Sequence, residues 1–115
     1  MFAIGPGSRV YLATGVTDLR KGFNSLYALI RFGWNRDPLN GHEVFVFCNR
    51  RRDTVKIFFA ETDGMWVCAK RLERGCYRWP QAGESVVTMS STELAMLLSG
   101  IDLQGAKRRA WWRKI

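Results

Sequence analysis

Long apolar runs are missing from this chain. No stretch of its 115 residues approaches the roughly 20 consecutive apolar positions that a membrane span requires. The opening MFAIGPG has no basic region followed by a long apolar core, so no secretory signal is read and the cytoplasm is the expected compartment. Cysteine is scarce and odd in number. Cys48, Cys68 and Cys76 show no C-x-x-C spacing, which in a reducing compartment reads as free thiols, mostly buried. With the single histidine, His42, they make four conceivable zinc ligands, but their spacing matches no common finger or ribbon. No metal and no other cofactor is therefore expected.

Catalytic signatures are lacking as well. G-x-S-x-G, H-E-x-x-H and the Walker sequence do not occur, and Gly15 with Lys21-Gly22 lacks the order of a phosphate-binding loop. Asp53, Glu61 and Asp63 could gather as metal-holding carboxylates of a nuclease, but an Asp that follows three arginines in a loop is the usual turn former or ion-pair partner. No catalytic residue is assigned. Repeats and low-complexity segments are also absent.

What the chain does contain is positive charge and aromatic rings. The net charge is +8 with a pI near 10, and aromatics make up 13% of the residues. An apolar fraction of 47% is ordinary for a folded chain with a real core, and the length fits one domain. Residues 1–43 and 80–115 each carry +2, and residues 44–79 carry +4. A small basic domain with no membrane signal points first to a nucleic-acid partner. The plainer reading is a basic surface that keeps the protein soluble.

The runs Val44–Cys48, Val55–Phe59 and Met65–Ala69 are rich in β-branched and aromatic residues. The polar segments Asn49–Thr54 and Glu61–Gly64 separate them, so they read as antiparallel strands joined by hairpins. A fourth run, Cys76–Trp79, stops at Pro80, which cannot donate to a ladder. Arg9–Ala13 and Ser85–Met89 are further strand candidates. Between the first strand and the hairpins, Leu19, Phe23, Leu26, Tyr27 and Ile30 recur at helical spacing. Thr17 or Asp18 is the expected N-cap and Gly33 the expected end. That start places Arg20 and Lys21 in the first helical turn, where the macrodipole disfavours cations by a few tenths of a kcal/mol. Ser90-Ser91-Thr92-Glu93 fits a capping box, and Leu94, Leu97, Leu98 and Ile101 form the stripe of a second helix ending near Gly100.

The resulting expectation is an α+β fold. It has a mostly antiparallel β-meander of four to six strands, with two helices packed on one face. Residues 1–103 form the domain and 104–115 a basic aromatic tail.

Charge is concentrated in three places. The hairpin tip NRRRD brings Arg50, Arg51 and Arg52 together, and guanidinium groups pair bidentately with phosphate. Lys70, Arg71, Arg74 and Arg78 surround the following turn, where surface pairs of Glu73 with Arg71 or Arg78 are the structural alternative, worth under about 1 kcal/mol. The tail holds Lys107, Arg108, Arg109, Trp111, Trp112, Arg113 and Lys114, a mixture that attracts phosphates and can stack on exposed bases, or can pack on the domain or another protein. Lys56, Arg20 and Lys21 complete the candidate nucleic-acid contacts.

An ordered set of motifs links these pieces: TDLRKG at Thr17–Gly22, the Asp37-Pro38 to Gly41 loop, FVF-x-NRRRD-x-x-K at Phe45–Lys56, Asp63-Gly64, KRLERG at Lys70–Gly75, RWP at Arg78–Pro80 and ELAMLLSGID at Glu93–Asp102. Over about residues 9–103 the chain resembles the TnpB-type accessory proteins, second-reading-frame products of the bacterial insertion-sequence family sixty-six. It does not resemble the large RNA-guided nucleases that share the TnpB name, being too short and lacking their carboxylate and zinc motifs. The resemblance implies a small accessory factor for DNA transposition beside a separate transposase that holds the catalytic carboxylates. The expected partners are thus DNA, bound with low sequence specificity because no base-reading helix is evident, and the transposase or other transposon-encoded proteins. No membrane and no small-molecule ligand is expected. The alternative is a protein-interaction module docking on the transposase or another accessory protein, with exposed sheet aromatics as anchors and arginines as a polar rim.

Overall fold

The computed structural model describes residues 5, 7–81 and 83–100. Five strands form one sheet: β1 (Arg9–Ala13), β2 (Glu43–Cys48), β3 (Thr54–Glu61), β4 (Gly64–Arg71) and β5 (Val86–Ser90), in the order β4-β3-β2-β1-β5. Helix α1 (Phe23–Ala28) runs on into a π-helical turn at Leu29–Gly33, and α2 spans Ser91–Leu98. The α+β class holds. The strands β2, β3 and β4 form an antiparallel meander, but β1 lies parallel to β2. Parallel neighbours need a crossover, and the α1 segment supplies it.

The two helices lie on opposite faces of the sheet, not on one. Leu26 and Ile30 of α1 and its π-helical turn pack with Tyr11, Ala13, Phe45, Phe47 and Phe58. Leu94 and Leu97 of α2 pack with Val10, Leu12, Val44, Val46, Val55, Ile57 and Phe59 on the other side. Every residue from Val44 to Cys48 is consequently buried, whichever way its side chain points. Burying each of Phe45, Phe47 and Phe58 stabilises the fold by about 1.5–3 kcal/mol. The aromatic residues of the sheet thus form core, with Trp66 on the edge strand β4 the most exposed at 45%.

Two further expectations are corrected. Cys76–Trp79 is not a strand, although Tyr77 and Trp79 are buried. The chain here must travel from β4 at one edge to β5 at the other, so it crosses the sheet face. Its hydrogen bonds go to turn and strand-end carbonyls instead of a ladder: Leu72 N–H to Asp53 at 2.8 Å, Tyr77 N–H to Arg52 at 2.7 Å, and the Trp79 indole to Ala13 at 2.7 Å. Helix α1 begins at Phe23 with Gly22 as N-cap, so Thr17 and Asp18 do not cap it and Arg20 and Lys21 precede it. Asp18 instead binds Arg20, and the Thr17 N–H donates to the Cys48 carbonyl at 2.9 Å. Local pairing and sheet contact outcompete an earlier helix start.

The capping box forms as read. Ser90 Oγ accepts from the Glu93 N–H at 3.1 Å, and the Glu93 carboxylate accepts from the Ser90 N–H at 3.0 Å. No described helix is long and apolar enough to cross a membrane.

Candidate nucleic-acid interface

Strand register sorts the charges into two ends of the sheet. Cys48 pairs with Val55, and Thr54 with Arg71, so the 49–53 turn and the segment after β4 share one end. Arg52 ties the loop after β1 to the same end by donating to the carbonyls of Thr14 at 3.0 Å and Gly15 at 3.3 Å. Gathered there are Arg20, Lys21, Arg50, Arg51, Arg52, Lys56, Lys70, Arg71, Arg74 and Arg78, against the carboxylates Asp18, Asp53, Glu73 and Glu84. At the opposite end Arg9, Arg31 and Arg36 face Asp37, Glu43, Glu61, Asp63 and Glu93. Cations are thus in excess at one end and carboxylates at the other.

Three of the basic-end cations are occupied by the fold. Arg52 sits in the left-handed region (φ +60°) with its guanidinium directed inward, 5.9 Å from the centre of the Trp79 ring. Lys56 reaches from β3 to the Lys21 carbonyl at 3.0 Å, closing the approach to α1 onto the sheet. Arg20 grips Asp18 through Nε and Nη2, the latter at 2.8 Å, and this pairing holds the Asp18 carboxyl well below the usual range. Its side chain remains 91% exposed, so the pair is a surface one and contributes little.

The other seven, Lys21, Arg50, Arg51, Lys70, Arg71, Arg74 and Arg78, are exposed, and among the described residues none forms an ion pair. Neither surface pair of Glu73, with Arg71 or with Arg78, is made. The tail positions Lys107, Arg108, Arg109, Trp111, Trp112, Arg113 and Lys114 lie outside the described residues.

The turn that presents Arg50 and Arg51 is braced from below. Asn49 Oδ1 accepts from the N–H groups of Asp53 and Thr54, both at 3.2 Å, while Asn49 Nδ2 donates to Asp53 at 2.7 Å. The Thr54 hydroxyl adds a bond to the same carboxylate at 3.0 Å. These bonds from Asn49 and Thr54 lower the Asp53 pKa, because each favours its charged form. Asp53 is therefore a turn former, and among the described residues no group of three or more His, Cys, Asp and Glu could hold a metal ion. Cys48 lies buried beneath, and burial pushes its thiol pKa up, away from the nucleophilic thiolate.

One cluster escaped the sequence reading. At the opposite end Arg36 Nη2 donates to the Tyr11 hydroxyl at 2.5 Å and to Glu43 at 2.6 Å, the Tyr11 hydroxyl donates to Glu43 at 3.1 Å, and the Arg36 guanidinium stacks 4.2 Å from the Tyr11 ring centre. Tyr11 in the middle of β1 and Glu43 at the start of β2 lie on neighbouring strands, a closeness that only sheet register creates, and no spacing motif announces it.

Comparison with known proteins places this geometry in context. Residues 8–108 match the family model described as "IS66 Orf2 like protein". Two uncharacterized proteins of Sinorhizobium fredii are similar over nearly their whole length. The first, y4hO, is 38% identical over 102 residues, covering 89% of this chain and 88% of the relative. The second, y4jC, is 34% identical over 108 residues, covering 92% of each. No solved structure matches. The family is an accessory one rather than a known group of enzymes, and it carries an association with transposition. On a match that spans most of its length, the chain belongs to the IS66 Orf2-like family.

Proposed function

We propose that this protein is a non-catalytic accessory factor for DNA transposition that binds nucleic acid through the basic end of its sheet, in the cytoplasm, beside a separate transposase. The observation that carries the reading is the convergence of seven exposed cations without carboxylate partners on three loops and the end of β4, which the fold ties together. A soluble surface needs no such clustering, since like charges held together repel unless a polyanion or counterions oppose them. Arg50 and Arg51 at the braced turn, with Lys70, Arg71, Arg74 and Arg78 beside it, are the phosphate contacts. Arg52, Lys56 and Arg20 serve mainly to shape the surface. The tail adds cations, and its tryptophans add stacking. Recognition is of low sequence specificity, because this end consists of loops and strand ends that meet the backbone before the base edges.

Titrating salt against binding of a labelled DNA tests the proposal. With about five phosphates neutralised on duplex DNA, log affinity falls against log salt with a slope near −4.5. Absence of binding at low salt rejects it.

A second reading, docking on the transposase or another accessory protein, draws on Phe32 in the π-helical turn, which is 81% exposed. A large apolar ring left in solvent is a common anchor of protein interfaces. Phe32→Ala that abolishes capture of purified transposase while sparing DNA binding favours docking; loss of neither disfavours it.

A further inference from the structure

We infer that the basic end is built to take unpaired nucleotides, with Phe23 as the surface on which a base stacks. The inference rests on the nucleic-acid reading above and adds the strandedness of the ligand.

Phe23 belongs by spacing to the apolar stripe of α1, with Leu26 and Ile30. Yet it is 50% exposed, while Leu26 and Ile30 are fully buried. The cause is the late helix start. Gly22 is the N-cap and the bond from Lys56 to the Lys21 carbonyl pins the chain just before it, so the first residue of α1 stands at the rim of the sheet rather than over it. Phe23 therefore follows directly on a segment that carries cations. Lys21 is exposed two residues earlier, and Lys56 is anchored alongside. On the same face of the sheet, uncovered by α1, come Ala69, opposite Lys56, and Arg71, opposite Thr54; both are exposed.

Stacked duplex bases hide their faces, so a ring in this position gains nothing from them, and a stiff double helix meets cations spread over loops and a strand end less fully than a flexible single strand does. A single strand does both: its backbone follows the cations and an unstacked base lies on the ring. Combining a positive surface with a solvent-facing aromatic is the general solution for binding single strands. Phe32 and Leu39, the exposed apolar residues on the 29–40 stretch, have Asp37 between them and no comparable group of unpaired cations, which sets Phe23 apart.

The test compares a labelled oligothymidine of about 15 nucleotides with a duplex of equal phosphate number, by fluorescence anisotropy on the full chain over a range of salt. The single strand is expected to bind about ten-fold more tightly. Phe23→Ala and Phe23→Leu should each weaken single-strand binding about ten-fold with the salt slope unchanged, because stacking releases no counterions. Phe23→Leu keeps apolar bulk in the helix and so separates loss of the flat ring from any loss of folding, and Phe23→Tyr should restore binding. Equal affinity for both ligands, or single-strand binding by Phe23→Leu like that of the unaltered protein, overturns the strandedness inference and leaves the nucleic-acid reading intact. Binding of neither ligand at low salt overturns both.

Discussion

The two ends of the sheet use arginine in opposite ways. At the Tyr11–Glu43 end, Arg36 spends its guanidinium on a carboxylate, a phenol and a ring face, within 4.2 Å. At the other end only Arg20 meets a carboxylate, at the surface, while Arg52 turns inward and binds carbonyls, which leaves its charge uncancelled. The groups around it, Arg50, Arg51, Arg71 and Arg74 among them, face solvent. Charge matched to charge ties the segment after the π-helical turn to β1 and β2. Charge left unmatched on a braced turn is available to a partner. The contrast separates cations that serve stability from cations left to the proposed binding, and mutation can break or sharpen it.

The largest effect on stability is expected for Arg36→Ala. Glu43, whose side chain is only 11% exposed, would lose its guanidinium, and Tyr11 its donor, at a cost of about 2 kcal/mol in urea unfolding. Nucleic-acid affinity and salt slope should stay as they are. A change in slope would show that this end also meets the polyanion, and the division between the ends would fail.

Arg52→Ala comes next, at about 1 kcal/mol, through removal of the two carbonyl bonds and of the guanidinium beside the Trp79 ring. Arg52→Gly should recover about 1 kcal/mol relative to Ala, because glycine tolerates φ +60° without the Cβ clash. Equal stability of the Ala and Gly variants would mean that the turn relaxes out of the left-handed region once the guanidinium is gone.

The acid limb of stability should depend on Asp53. Its folded pKa lies below the unfolded value of about 3.9. Its contribution is therefore fully present above that value and is lost as pH falls through the folded pKa. Asp53→Asn should flatten the urea midpoint between neutral pH and pH of about 3 relative to the unaltered chain. An undiminished acid dependence would assign it to other carboxylates.

The smallest effect on stability, within about 0.5 kcal/mol, is expected for Arg50→Ala with Arg51→Ala, since both are exposed and neither is paired. Here the consequence is read in binding instead: the salt slope should fall by about 1.8, near 0.9 for each phosphate that is no longer neutralised. An unchanged slope would move the phosphate-binding groups off the turn.

How far the chain alone discloses this arrangement can be seen residue by residue. Arg9–Ala13 is read to its bounds, and the Ser90–Glu93 capping box is read down to its atoms, because both follow from neighbours in sequence. The opposite placement of the helices, which the apolar stripes alone do not reveal, has its signal in Val44–Cys48. Both alternating faces of that run are apolar, the mark of a strand covered on two sides. Cys76–Trp79 misleads for the converse reason: buried aromatics resemble a strand when only the position of its hydrogen-bond partners says otherwise.

By itself the sequence determined the α+β class, the hairpins, the charge excess and membership of a transposition-associated family, since each rests on composition, local periodicity or ordered motifs. The tertiary structure alone decided which cations meet and which are spent. Arg52 and Arg36 cannot be told from Arg50 and Arg31 by type or neighbours. Their roles come from groups brought near by strand pairing, Thr14 and Gly15 for one and Tyr11 and Glu43 for the other, across separations of up to 38 residues. Electrostatic and hydrogen-bond energies depend on distance in space, and in a sheet that distance is set by register.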